Sequence, residues 1–268
     1  MTRQAVSGSI RIAYELRGAG EPLLLVHGLG YARWGWEPVL DGLAGRFLVV
    51  AFDNRGIGES DAPPGPYTAR FMAEDGIAVL DAAGIERAHV VGTSLGGMVA
   101  QELALGFPER VARLVLVCTT PGGPAAYPMP QRTRRLLAET PALPPAERLC
   151  RLVENALSEK AARARPELVE RILAGRLAVP YDPAAWQAQA AAGAAFDALE
   201  RIGEIQAPTL VLHGTDDAVV DPRNGELLAA RIADARLERF QGAGHLLFWE
   251  QPERFVRLVV DFLAEEGT

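Results

Sequence analysis

The sequence is short of lysine, cysteine, histidine and long apolar runs, and each shortage closes off a class of function. Lys160 is the only lysine among 27 basic residues, and 34 acidic ones leave a formal charge of −7. A surface of that sign repels phosphate backbones and anionic lipid, so neither nucleic acid nor a membrane surface is an expected partner. The two cysteines, Cys118 and Cys150, fall on a predicted strand and a predicted helix. With no C-x-x-C pair and no Cys/His cluster, a metal site is not expected and a disulfide has little support. No stretch reaches the roughly 18 uncharged apolar residues of a membrane span. Residues 1–15 alternate like a strand instead of building the apolar region of a signal peptide, so a cytoplasmic location is the expectation.

What is present reads as one α/β domain. A chain of 268 residues with 49% hydrophobic and 23% charged residues can bury a single substantial core. Ile10, Ile12, Tyr14 and Leu16 alternate with polar or small residues, predicting a half-buried strand in a first hairpin. Leu23–Val26, Phe47–Phe52, Ala88–Gly92, Val111–Cys118 and Pro208–His213 are short continuous apolar runs, the pattern of strands covered on both faces. Between them lie helical periodicities over Thr68–Ala83 and Met98–Phe107. Leu237–Phe240 then precedes a terminal helix opened by Pro252, which buries Phe255, Leu258, Val259 and Phe262. This βα alternation predicts a doubly wound, mostly parallel sheet with helices on both faces.

One stretch breaks the alternation. Residues 122–203 open with Pro121-Gly122-Gly123-Pro124 and carry helical but no strand-like segments, with helical spacing over Ala146–Ala156 and Pro166–Leu177, while Ala184–Ala198 is so alanine-rich that its contacts must be close or its order poor. About 80 residues could barely bury a core of their own, so a helical cap over a site is expected, inserted between the core segments 1–121 and 204–268.

The chemistry centres on Gly92-Thr93-Ser94-Leu95-Gly96. This G-x-S-x-G match follows the strand through Val90 and Val91 and precedes a helix. In that setting a serine sits on a tight strand-to-helix turn that only small neighbours tolerate, its hydroxyl projects, and helix N–H groups face a developing oxyanion. A serine hydroxyl needs a base, and only His27, His89, His213 and His245 are available. His27 and His213 end strands before glycines, where a ring ordinarily bonds nearby backbone, and His89 starts a strand. His245 lies in the Gly242-Ala243-Gly244 loop between the last strand and last helix, which can carry its ring to the carboxyl edge of the sheet. Asp216, Asp217 and Asp221 crowd the loop after the strand ending at His213 and are the candidates for the orienting acid.

These motifs, with His27-Gly28-Leu29-Gly30, Asp53-Asn54-Arg55-Gly56-Ile57-Gly58-Glu59-Ser60 and His213-Gly214-Thr215-Asp216-Asp217, resemble the α/β-hydrolase superfamily. The likeness is to its cap-bearing esterase, enol-lactonase and cofactor-free haloperoxidase-like branch. The resemblance implies the triad order Ser94, Asp217, His245, with the acid three residues after Gly214, and an oxyanion hole made by the Leu29 and Leu95 amides. It also implies that Asp53–Ser60 is a structural turn beside the site. A serine at the elbow sets the chain apart from the epoxide hydrolases and haloalkane dehalogenases, which use aspartate. Gly30, where haloperoxidase-like members often have proline, favours ester hydrolysis over peracid chemistry.

The resulting expectation is a cofactor-free, metal-free carboxylesterase for a small ester or lactone, working through an acyl-enzyme. A lactonase, a carbon–carbon bond hydrolase and, from another class, a non-catalytic ligand receptor on the same fold are the rivals. Trp186 or Tyr127 is expected to close the pocket from the cap. An enol-lactone diacid would call for a pocket-facing arginine among Arg132, Arg134, Arg135 and Arg176.

Overall fold

The computed structural model describes residues 1–180 and 182–265. Eight strands form one sheet: β1 Arg3–Ser7, β2 Ile10–Arg17, β3 Glu21–Val26, β4 Phe47–Phe52, β5 Ala88–Thr93, β6 Val111–Val117, β7 Thr209–Gly214 and β8 Ala235–Phe240. Their spatial order is β1-β2-β4-β3-β5-β6-β7-β8. β1 pairs antiparallel with β2, and β2 antiparallel with β4. From β4 to β8 every pairing is parallel, so the carboxyl ends of these strands share one edge.

The continuous apolar runs explain themselves in this sheet. Leu24, Val26, Val90 and Leu116 face one core, while Leu23, Leu25, Val91 and Val115 face the other. Successive side chains alternate, and both faces are dry. Helices α2 Ala69–Ala82, α3 Leu95–Gly106 and α9 Arg223–Arg231 cover the first face. Helices α1 Glu37–Ala44, α10 Leu247–Glu250 and α11 Pro252–Leu263 cover the second. α2 is started by Thr68, whose side chain accepts from the Phe71 N–H. Phe71 itself is exposed, unlike the rest of the periodic set, with the Arg55 guanidinium over its ring.

Between β6 and β7 the chain forms α4 Gln131–Glu139, α5 Pro145–Ala156, α6 Glu159–Ala164, α7 Pro166–Ala178 and α8 Pro183–Ala194. The polar α4, the short α6 and the early α1 carry too little apolar periodicity to be anticipated. α8 shows what its alanines are for: Ala185 packs against Gly56 and Tyr67, and Gly193 lies against Leu95. Small side chains let this helix approach the loops around Ser94. After α8, Phe196, Ala198, Leu199 and Ile202 join the first core, so this last stretch packs with the sheet.

Candidate functional site

Four loops leave the shared strand edge and converge. β5 ends at Thr93, and Ser94 follows with φ 55° and ψ −121°, a strained conformation for a non-glycine residue. It persists because the Ser94 N–H donates to Val117 O at 2.9 Å and α3 begins at once. A Cβ on Gly96 would collide with Val26 O, so this turn requires glycine there. β3 delivers His27, Gly28 and Leu29 to the same place: a Cβ on Gly28 would lie 3.0 Å from Ser94 Cβ. Among the described residues, the N–H groups of Leu29 and Leu95 enter no hydrogen bond. Two backbone amides without a hydrogen-bond partner thus lie beside the serine.

β7 and β8 bring the other pair. Asp216 N–H donates to Ala243 O at 3.0 Å, tying the two loops together. His245 Nδ1 then lies 2.8 Å from Asp217 Oδ2. The second oxygen, Oδ1, accepts from the N–H groups of Val219 at 2.8 Å and Val220 at 2.9 Å. Burial alone would push the Asp217 carboxyl up. The attraction of a protonated His245 ring and hydrogen bonds from His213 and His245 reverse this and hold it well below the usual carboxylate range. Asp216 is exposed, and Asp221 bonds the Arg223 N–H at 3.0 Å and its guanidinium. Of the three aspartates, only Asp217 meets the histidine. Asp221 turns the chain ahead of α9 but is not its N-cap, a position that falls on Pro222.

Ser94, His245, Leu29 and Leu95 line one cavity of about 570 Å³. Its remaining wall is mostly apolar and comes largely from α4, α5, α7 and α8. Trp186 and Tyr127 both line it, Tyr127 at the exposed mouth with Arg223 over its ring. Among the described residues Ser94 Oγ makes no hydrogen bond, which leaves it open to the cavity. A family model described as the alpha/beta hydrolase fold matches residues 21–252.

The chain belongs to the α/β-hydrolase family. It is 34% identical to a 2-hydroxy-6-oxo-6-phenylhexa-2,4-dienoate hydrolase of Comamonas testosteroni, over 95% of this chain and 91% of that one. The enol-lactonase of Burkholderia xenovorans superposes with a TM-score of 0.86 at 26% identity, covering 98% of this chain and 100% of the other. A Rhodococcus esterase superposes with a TM-score of 0.86 at 30% identity, covering 99% of both. These relatives bear the names of different substrate classes on one scaffold.

Within this α/β hydrolase, several neighbours of the site carried no usable sequence signal. His213 Nε2 is 3.2 Å from Asp217 Oδ2 as well as from Val220 O, so the strand-end histidine supports the acid besides bonding backbone. Cys118 Sγ, an Asp217 oxygen and a His245 nitrogen lie within 4.8 Å of one another. Burial first, then the neighbouring Asp217 charge, pushes the Cys118 thiol well up, which keeps it protonated behind the pair. Both cysteines are free. His27 is stacked on Tyr31 at 4.7 Å and is held neutral, its pKa pushed down to about 3 by burial.

Of the four arginines at which a diacid substrate could bind, Arg132 pairs with Glu159 at 2.9 Å, and Arg134 and Arg135 are exposed. Arg176 alone lines the cavity. It lies over the Tyr31 ring at 4.5 Å, and among the described residues no carboxylate pairs with it. Gly30, at φ +71°, makes room: a Cβ there would stand 2.8 Å from the Arg176 guanidinium and 3.0 Å from Trp186 Nε1. Among the described residues, no helix is long and apolar enough to cross a membrane.

Proposed function

We propose that this hydrolase cleaves small carboxylic esters through an acyl-enzyme on Ser94, with residues 122–203 as the cap over the site. The observation that carries the reading is the strained serine at the β5–α3 turn sharing one apolar cavity with a histidine held by a buried, ionised aspartate. Ser94 Oγ attacks the carbonyl carbon while the far nitrogen of His245 takes its proton. Negative charge on the carbonyl oxygen is met by the Leu29 and Leu95 N–H groups. Collapse of that intermediate expels the alkoxide, which takes the proton from His245. Water then repeats the sequence on the acyl-enzyme, giving the acid and free Ser94. No cofactor or metal enters any step.

Arg176 refines the substrate class. A half-buried guanidinium that lies over the Tyr31 ring, with no carboxylate partner among the described residues, can pair with an anionic group of a ligand in the cavity. The best-fitting substrates are therefore small esters or lactones bearing a carboxylate, and the names of the enol-lactonase and dienoate hydrolase relatives are consistent with acids of this kind.

Steady-state hydrolysis of p-nitrophenyl acetate and butyrate tests the reaction. The wild type is expected to turn over both, and Ser94→Ala to lose about 10³-fold or more in kcat. Turnover that survives Ser94→Ala would end the proposal. A panel adding lactones and vinylogous diketones separates ester cleavage from lactone and carbon–carbon bond cleavage.

A further inference from the structure

The loop that carries His245 is fastened to the cap on both sides of the histidine. Glu250 is buried at the end of the apolar turn Leu247–Glu250, and its carboxylate gathers three donors. Oε1 accepts the Gly244 N–H at 2.9 Å and the Ser158 N–H at 2.8 Å, while Oε2 accepts the Ser158 hydroxyl at 2.7 Å. On the other side, the Leu246 N–H donates to Ala156 O at 3.0 Å. The fit is close: a Cβ on Gly244 would lie 2.5 Å from Ser158 N. The acid loop is held from the same part of the cap. Asn155 Nδ2 donates to Thr133 Oγ1 at 2.7 Å, and the Thr133 hydroxyl donates to Ala218 O, next to Asp217.

We infer that Glu250 is a positioning residue that fixes the backbone of His245 against the α5–α6 corner, making that corner a built-in part of the active site. This rests on His245 being the general base. Val153, Asn155 and Ala156, on the helix that ends in this corner, also line the cavity. The wall that meets the substrate and the anchor that aims the base are thus one piece of chain. An aspartate is too short to reach both Gly244 and Ser158. A glutamine keeps both N–H bonds through Oε1, and the Ser158 hydroxyl can turn to accept from its amide.

The test uses the full chain and p-nitrophenyl acetate, with active sites counted from the burst of p-nitrophenol. In Glu250→Ala, kcat per active site is expected to fall by on the order of 10- to 100-fold, with KM changed by less than about threefold, because a base displaced by less than 1 Å loses alignment more than affinity. Glu250→Gln should recover kcat to within about threefold of wild type. If Glu250→Ala does not fold, Glu250→Asp, which keeps the charge and loses reach, must show the same loss in kcat. A purely stabilising role would lower the melting temperature and leave kcat per site unchanged in both variants, and that result overturns the inference. No turnover by wild type, or turnover surviving Ser94→Ala, refutes the catalytic reading instead, and the inference falls with it.

Discussion

Replacing Asp217 by asparagine is the sharpest perturbation of the proposed site, because two backbone amides dictate which way the new side chain must face. Oδ1 of Asp217 accepts from Val219 at 2.8 Å and Val220 at 2.9 Å. The asparagine oxygen has to stay there, since a flip would set its NH₂ against two N–H donors. The NH₂ then occupies the place of Oδ2 and donates to His245 Nδ1. That nitrogen must become the acceptor, so the ring proton moves to the far nitrogen, the one that should receive the Ser94 proton. The base is thus blocked while the fold is kept. In the serine-protease triad the same substitution lowers kcat about 10⁴-fold, and a loss of about 10³- to 10⁴-fold is expected here.

Asp216→Asn is the built-in control. Asp216 is exposed and, among the described residues, its side chain accepts only from Thr215 Oγ1 at 3.1 Å, so a loss under about tenfold is expected. Both variants should be compared on one ester, with kcat normalised to burst-counted sites and far-UV circular dichroism confirming the fold. An Asp217→Asn enzyme within tenfold of wild type, or a larger loss at Asp216, would refute the assignment of the acid.

Three further outcomes can be checked. Arg176→Gln should raise KM for a p-nitrophenyl hemisuccinate by about 10- to 100-fold, the value of one charge-assisted contact, and leave neutral p-nitrophenyl butyrate nearly unchanged; equal effects on both would remove the carboxylate from the substrate class. Trp186→Ala should extend the acyl length accepted between acetate and octanoate, and an unchanged chain-length profile would leave Trp186 without a part in selection. His27 is neutral in the fold, with its pKa lowered to about 3 from 6.5, so the unfolded chain takes up a proton first as pH falls. Its contribution is complete above about pH 6.5 and is lost towards pH 3, at up to about 1.4 kcal/mol per pH unit. Denaturant unfolding across that window should show the slope, and His27→Gln should flatten it.

The parallel strands, their order of appearance and the strand–turn–helix at Ser94 were legible because each rests on local pattern: continuous apolar runs, helical spacing, and glycines where no Cβ fits. The long-range pairing was legible only through resemblance. Nothing local separates Asp217 from Asp216, and the difference arises when the β7 and β8 loops meet and one carboxylate is buried against His245. Glu250 was missed because a charged residue ending the run Leu246–Trp249 looks like an exposed helix terminus, and only the folded chain brings Ser158 to it. Gly30 shows the limit most clearly. Its departure from proline was visible as a difference, but a proline ring cannot adopt φ +71°, and the room that glycine leaves is filled by Arg176 from a helix almost 150 positions away.

The helical segment divides into two parts with different attachments, and the division bears on how substrate could enter. The first part, α4 to α6, is hydrogen-bonded to both loops that carry the histidine and its acid. The second part carries Arg176 on α7 and Trp186 on α8, and α8 is pinned near the serine through Gln189, which bonds the Gly30 N–H at 3.3 Å and Arg55 O at 2.7 Å. Opening the first part would displace the His245 loop, and displacing α7 would expose Leu168, Val169 and Ile172 of the second core, whereas displacing α8 would cost two side-chain hydrogen bonds and small-residue packing. Substrate access is therefore best sought at α8, and selection at α8 and Arg176, where changes leave His245 and Asp217 in place. Substitutions in α5 should instead change turnover and affinity together, because that helix both walls the cavity and holds the His245 loop through Ala156 O.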